Sequence, residues 1–171
     1  MDFFEVIEKR RSTRKYKNKP IEEDKKQKLL EAINAAPSAH NLQAYELYLV
    51  ESPEKKRELR EACRSQKWVE NAPLNIVFCT NVERRIHKEP SRSKFYAMGD
   101  AFIACAYAQL AATALGLSSV WIGAFEPEKV SDVLGLPESL KPVAVLPVGY
   151  ADEEPQEKPR RGVTDLIKGK I

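Results

Sequence analysis

Long apolar runs, paired cysteines and charge of one sign are all scarce in this chain, and each scarcity removes a class of protein. The longest apolar stretch, residues 101–117, is interrupted by Gln109 and Thr113 and falls short of the roughly 20 residues that a bilayer span needs. The three cysteines, Cys63, Cys79 and Cys105, are odd in number, far apart and never spaced as CxxC. Neither a disulfide framework nor a zinc site is expected, and no other metal is; buried reduced thiols are. Histidine occurs only as His40 and His87, with no carboxylate or cysteine spacing that would make either one a catalytic base. The 28 basic residues nearly balance 25 acidic ones, for a net charge of +3, which is not the basic excess of a nucleic-acid binder. The opening Met1-Asp2-Phe3-Phe4-Glu5 puts acids where a secretion signal carries bases followed by a long apolar segment. A cytoplasmic protein with no membrane and no nucleic-acid partner is the expectation. No GxxxxGKS/T loop, no GxGxxG after a strand, no HExxH and no GxSxG elbow occurs. Kinase, dinucleotide-fold dehydrogenase, zinc protease and hydrolase readings lose their usual support.

What is present is a chain of 171 residues, 43% hydrophobic, of the size of one common domain with a substantial core. Phe3, Phe4 and Ile7, followed by Arg10 and Arg11, recur at helical spacing, so a first amphipathic helix should deliver arginines from its last turn. A second helix is expected over residues 22–36, with Leu29, Leu30, Ile33 and Ala36 on its apolar face and Pro37 as its stop. Residues 45–50 read as a strand, 53–63 as a charged helix and 75–79 as an interior strand. The mixed-sign stretches 22–28 and 54–60 read as solvated helix faces. Residues 82–94, polar and without period, read as a mobile loop or short helix. Asp100 reads as the cap of a helix reaching Leu115, apolar nearly all round and therefore fully buried, with Gly116 ending it. A strand at 118–122, a short helix at 127–134 with proline at its first position, and a strand at 142–150 follow. Residues 151–171 are too polar to form a core and must lie on a surface or reach a partner. No internal repeat and no second domain is evident.

Three separated segments carry the chemistry. Arg10-Arg11-Ser12-Thr13-Arg14 and Lys158-Pro159-Arg160-Arg161 supply fixed charge whose forked donors suit phosphate oxygens, and Ser12 adds a hydroxyl donor. A basic helix end acting on its own dipole explains the first of these equally well. Pro37-Ser38-Ala39-His40-Asn41-Leu42-Gln43 offers Ser38, Asn41 and Gln43 to a polar ring, or simply satisfies its own backbone as loop side chains do.

Taken in order with Ala72-Pro73, Trp121-Ile122-Gly123-Ala124-Phe125 and Pro147-Val148-Gly149-Tyr150, these segments closely resemble the FMN-dependent nitroreductase family along nearly the whole chain. The resemblance implies an α+β fold, a three-layer sandwich whose central, mixed but mainly antiparallel sheet is flanked by helices. It also implies an intertwined homodimer with two FMN sites at the interface, in which residues 1–171 form one FMN-binding domain and 151–171 pack on the partner. By position, Arg10, Arg11, Ser12 and Arg14 would hold the FMN phosphate and ribityl chain with Lys158, Arg160 and Arg161. Pro37, Ser38, Ala39 and Asn41 would come from the other subunit, with Gln43 nearby. Gly123, flanked by Ile122 and Ala124, would present its backbone N–H to flavin N5, so no side chain need act as a catalytic acid or base. Gln66 and Lys67, next to Ser65, would face the pyrimidine edge and support negative charge at N1 and O2. Relatives often carry Pro and Glu before that glycine where this chain has Trp121 and Ile122. The implied activity is a ping-pong NADH- or NADPH-dependent reduction of nitroaromatics, quinones or similar acceptors, or else a specialised flavin reaction such as dehalogenation or flavin ring chemistry. A basic nucleic-acid-binding module is the remote alternative.

Overall fold

The computed structural model describes residues 1–88 and 90–170. Seven α-helices occur in this order among them: α1 Phe3–Lys9, α2 Glu23–Asn34, α3 Pro53–Ala62, α4 Lys67–Asn71, α5 Ser93–Ala114, α6 Pro127–Leu134 and α7 Val163–Leu166. The strands are β1 Tyr45–Val50, β2 Leu74–Asn81, β3 Ser118–Ser119 and β4 Leu140–Gly149. They form one antiparallel sheet in the order β1-β2-β4-β3, so the fold is α+β. No helix among the described residues is long and apolar enough to cross a membrane.

Strand β2 is buried without alternation from Leu74 to Thr80 because helices cover both of its faces. Leu74, Ile76 and Phe78 pack with Leu29 and Ile33 of α2 and with Ala101, Ala104, Cys105 and Ala108 of α5. Val77 and Cys79, pointing the other way, pack with Leu59 of α3, Val69 of α4 and Val130 of α6. Each fully buried Ile or Phe here contributes about 1.5–3 kcal/mol relative to exposure. The outcome is the expected helix, sheet, helix layering. Side-chain caps start two of the helices: Asp2 and Glu5 form a reciprocal capping box on α1, and Ser52 caps α3 ahead of Pro53.

The structure corrects several expectations. Asp100 is no cap: α5 begins seven residues earlier at Ser93, absorbing the end of the supposed 82–94 loop. The rest of that stretch holds two 3-10 turns, Val82–Arg84 and Pro90–Arg92; Glu89 lies outside the described residues. Nor is α5 buried all round. Small residues line its inner face, whereas Phe95, Met98, Phe102, Ile103 and Tyr107 stay exposed. On α1 the buried residue is Val6, with Phe3, Phe4 and Ile7 facing outward. The strand expected at 118–122 is only two residues long, although Ile122 makes an isolated bridge to Val145.

Candidate functional site

Helix α1 ends at Lys9, and the chain leaves it extended. Thr13 N–H donates to the Ser119 carbonyl at 3.1 Å, and Ser12 bridges Ser119 in parallel, so the arginine segment extends the β3 edge. Tyr16 locks it from beneath: its buried hydroxyl donates to the Thr13 and Pro147 carbonyls at 2.8 and 3.2 Å. Burial, reinforced by Glu153, raises its pKa and keeps the phenol protonated. After β4 the chain doubles back, with Ala151 bridging Tyr16 and Asp152 N–H donating to the Lys15 carbonyl at 2.9 Å. Residues 153–160 thereby lie opposite residues 8–14.

Between these two segments is a cleft of about 660 Å³ whose lining includes Arg10, Arg11, Ser12, Arg14, Lys158 and Arg160. Two of the three segments singled out by sequence thus meet in one chain; Arg161 does not line the cleft. Of the four glutamates that line the cleft, Glu8, Glu153, Glu154 and Glu157, the second and fourth are already engaged. Glu153 accepts from the Arg14 and Lys15 N–H groups at 2.5 and 3.1 Å, and Glu157 pairs with Arg11 at 3.1 Å. Arg11 also donates to the Glu8 carbonyl. Among the described residues, Arg10, Arg14, Lys158 and Arg160 have no ion-pair partner. Burial and the charges of Arg160 and Arg11 depress the Arg10 pKa, the signature of a cation held among cations. A phosphate would remove that repulsion, and the donor set fits one.

A second surface adjoins the cleft through Arg14, whose guanidinium lies 5.6 Å from the Trp68 ring centre. The Trp68 indole N–H is buried without a hydrogen-bond partner among the described residues. Gln66, just before α4, donates to the Cys63 carbonyl at 2.7 Å and the Ala124 carbonyl at 2.9 Å. Its amide nitrogen is therefore spent on tying α4 to the glycine turn, and its oxygen is what it can offer a ligand. Lys67 is exposed beside it. Ile122 is buried and exchanges two backbone hydrogen bonds with Val145, at 2.9 and 3.0 Å, leaving Gly123 and Ala124 exposed at the rim. A side chain at Gly123 would collide with the Trp121 ring at 2.4 Å, so the turn keeps its backbone bare.

The Pro37 to Gln43 segment does not join them within one chain: none of its residues lines the cleft. It is a tight loop in which Ser38 Oγ accepts from the Gln43 N–H at 2.9 Å and Gln43 Nε2 donates to the Asn34 carbonyl at 3.0 Å. His40, Asn41 and Gln43 take left-handed backbone angles of 56°, 52° and 45°. Asn41 is exposed, as are both histidines, and no cluster of metal-ligating residues occurs among the described residues. Sequence reading missed Trp68, Glu153, Arg85 and Asp100 as parts of this architecture. Only Trp68, one of two tryptophans and close to Gln66, left a trace that could have been followed.

Comparison with known proteins bears on the family and the fold. The nitroreductase family model matches in two overlapping stretches, residues 7–81 and 61–150. A Thermus thermophilus protein named NADH dehydrogenase is 34% identical over 174 residues, with 85% of each chain covered. A Vibrio harveyi NADPH-flavin oxidoreductase is 32% identical over 164 residues, covering 91% of this chain and 68% of that protein. Among solved structures, the NADPH:FMN oxidoreductase from Vibrio harveyi complexed with NAD+ superposes with a TM-score of 0.91 at 29% identity, covering 99% of this chain and 77% of that one. With a family match that spans most of its length and a fold that follows that of solved relatives, the chain belongs to the nitroreductase family.

Proposed function

We propose that this protein is an FMN-dependent NAD(P)H oxidoreductase that works as a homodimer. The observation that carries the reading is the cleft where Arg10, Arg14, Lys158 and Arg160 converge, none of them in an ion pair among the described residues. The redox chemistry, hydride in from NADH or NADPH and then electrons out to a nitroaromatic, quinone or similar acceptor in ping-pong order, is what FMN supplies when bound. The chain's own residues bind and orient. Arg10, Arg14, Lys158 and Arg160 would grip the phosphate, with Arg11 and Arg161 behind them, and Ser12 would donate to the ribityl chain. Gly123 would offer its N–H to the ring edge, Ile122 would fix that turn, and Ala124 and Gln66 would hold it to α4. Lys67 is the cation available to negative charge on the pyrimidine edge.

The homodimer reading draws support from surface that one chain leaves bare. Phe95, Met98, Phe102, Ile103 and Tyr107 on α5, and Phe3, Phe4 and Ile7 on the neighbouring α1, are exposed large side chains of a kind that soluble monomers seldom cluster. A second copy covering α5 would also bring its loop with Pro37, Ser38, Ala39, Asn41 and Gln43 toward the ring surface. The 161–170 tail, with Val163, Leu166 and Ile167 exposed, would reach the partner, while residues 151–160 stay against their own chain. Three buried free thiols suit the reducing cytoplasm.

The experiment is anaerobic. Protein loaded with FMN is mixed with NADH or NADPH, and the visible flavin absorption should bleach; adding a nitroaromatic or a quinone should restore it. Absorption that neither nicotinamide can bleach would overturn the oxidoreductase reading.

A further inference from the structure

The loop that sequence reading assigned to the flavin ring has an expensive backbone and an elaborate clasp. Three non-glycine residues in it, His40, Asn41 and Gln43, sit in the left-handed region, which L side chains disfavour. Such a conformation persists only where its surroundings over-determine it. Here they do so from the far side of the chain. The Asp100 carboxylate, from the interior of α5, accepts the Ala39 N–H at 2.9 Å and the Ala44 N–H at 3.4 Å, one at each end of the loop. Arg85 Nη1 donates to the Ala39 carbonyl at 2.9 Å and lies 3.7 Å from Asp100. Arg84 Nε donates to the Leu42 carbonyl at 3.0 Å, and Glu46 steadies Arg84 at 3.7 Å.

Arg85 and Asp100 are buried to within 0% and 3% of side-chain exposure. Their pairing is imperfect, since Arg85 Nε and Nη2 find no hydrogen-bond partner among the described residues, although the guanidinium does lie 4.6 Å from the Tyr96 ring centre. A buried and incompletely satisfied ion pair is a weak stabiliser compared with apolar residues of the same volume. What it does supply is geometry: the loop's ends are pinned while the tip, His40 and Asn41, stays exposed. That is the arrangement of a surface built to be touched.

We infer that Arg84, Arg85 and Asp100 are positioning residues that hold the 38–44 loop in the shape in which it meets the flavin ring of the partner subunit. The inference rests on the flavin reading above and adds to it a set of residues that never contact flavin.

The phosphate grip and the ring contact are separable with two probes, FMN and riboflavin, which lacks the phosphate. Their dissociation constants are measured by fluorescence titration on the full chain, for wild type, the double variant Arg85→Met/Asp100→Leu, and Arg84→Ala. The double variant removes both buried charges together and so leaves neither unpaired. It should weaken FMN and riboflavin by the same factor, about tenfold or more, leaving the ratio of the two constants at its wild-type value. Arg84→Ala, on a half-exposed side chain, should weaken both equally by about threefold and carries the test if the double variant does not fold. A general loosening of the fold would disturb the phosphate grip as well and shift the ratio. Wild-type affinity for both flavins in Arg84→Ala and in the folded double variant overturns the inference alone, and so does a loss confined to FMN. Wild type that takes up neither flavin overturns the flavin reading, and the inference with it.

Discussion

Arg14 is the residue where the two halves of the proposed site touch, its side chain between the cationic cleft and the face of Trp68. It pairs with no carboxylate among the described residues, so its removal should cost binding and not folding. Arg14→Ala is expected to weaken FMN by about ten- to a hundredfold, the range for a hydrogen bond to a charged group. The thermal midpoint should stay within a few degrees of wild type, and a flavin titration beside a melting curve checks both. The cysteines lead to a pH dependence. Burial raises the thiol pKa of Cys63, Cys79 and Cys105 from the ordinary 9.0 to about 12, with Glu46 adding to the effect at Cys79. An unfolded chain would release those protons first. The three thiols should therefore leave stability level below pH 9 and make it fall as pH rises from 9 toward 12. Melting temperatures across that window test the sign. At pH 8 a thiol reagent should modify none of the three in the native protein and all of them once it is unfolded.

At the scale of elements, α5 carries the strongest consequence. Its inner face is small residues against the sheet, and its outer face is bare. Ile103→Glu on that outer face should yield a folded chain that elutes as a monomer and retains flavin at least tenfold less well, by about the cost of losing one loop's contacts; chromatography with light scattering reads the first effect. The same helix marks where sequence was legible and where it was not. Strands β1, β2 and β4 announced themselves through local composition, as did the proline start of α6, because those signals lie within a few residues of one another. Asp100 misled because an acid ahead of an apolar run is the ordinary mark of a helix start. Its real partners, the N–H groups of Ala39 and Ala44, are about sixty positions away in the chain. Arg85 was hidden the same way: in a polar stretch it reads as solvated, and only the fold buries it. The outward faces of α1 and α5 were unreadable from one chain because an apolar residue awaiting a partner has the same pattern as one in a core. The arginine segments were legible as chemistry, though their meeting required the turn back after β4.

For the whole molecule, one chain builds the cationic cleft and the Gly123 rim, and leaves the Pro37 to Gln43 loop out of the cleft's lining. A chain arranged in this way suits a pair, each copy completing the other's site. All of the proposed chemistry depends on the cleft being the phosphate end of an FMN site. Its most direct test is an equilibrium titration of the purified, flavin-stripped protein with FMN, followed by quenching of flavin fluorescence. Saturation at one FMN per 19.4 kDa chain, with riboflavin bound far more weakly, is the expected result. No saturable uptake of FMN, or riboflavin bound as tightly as FMN, would contradict it.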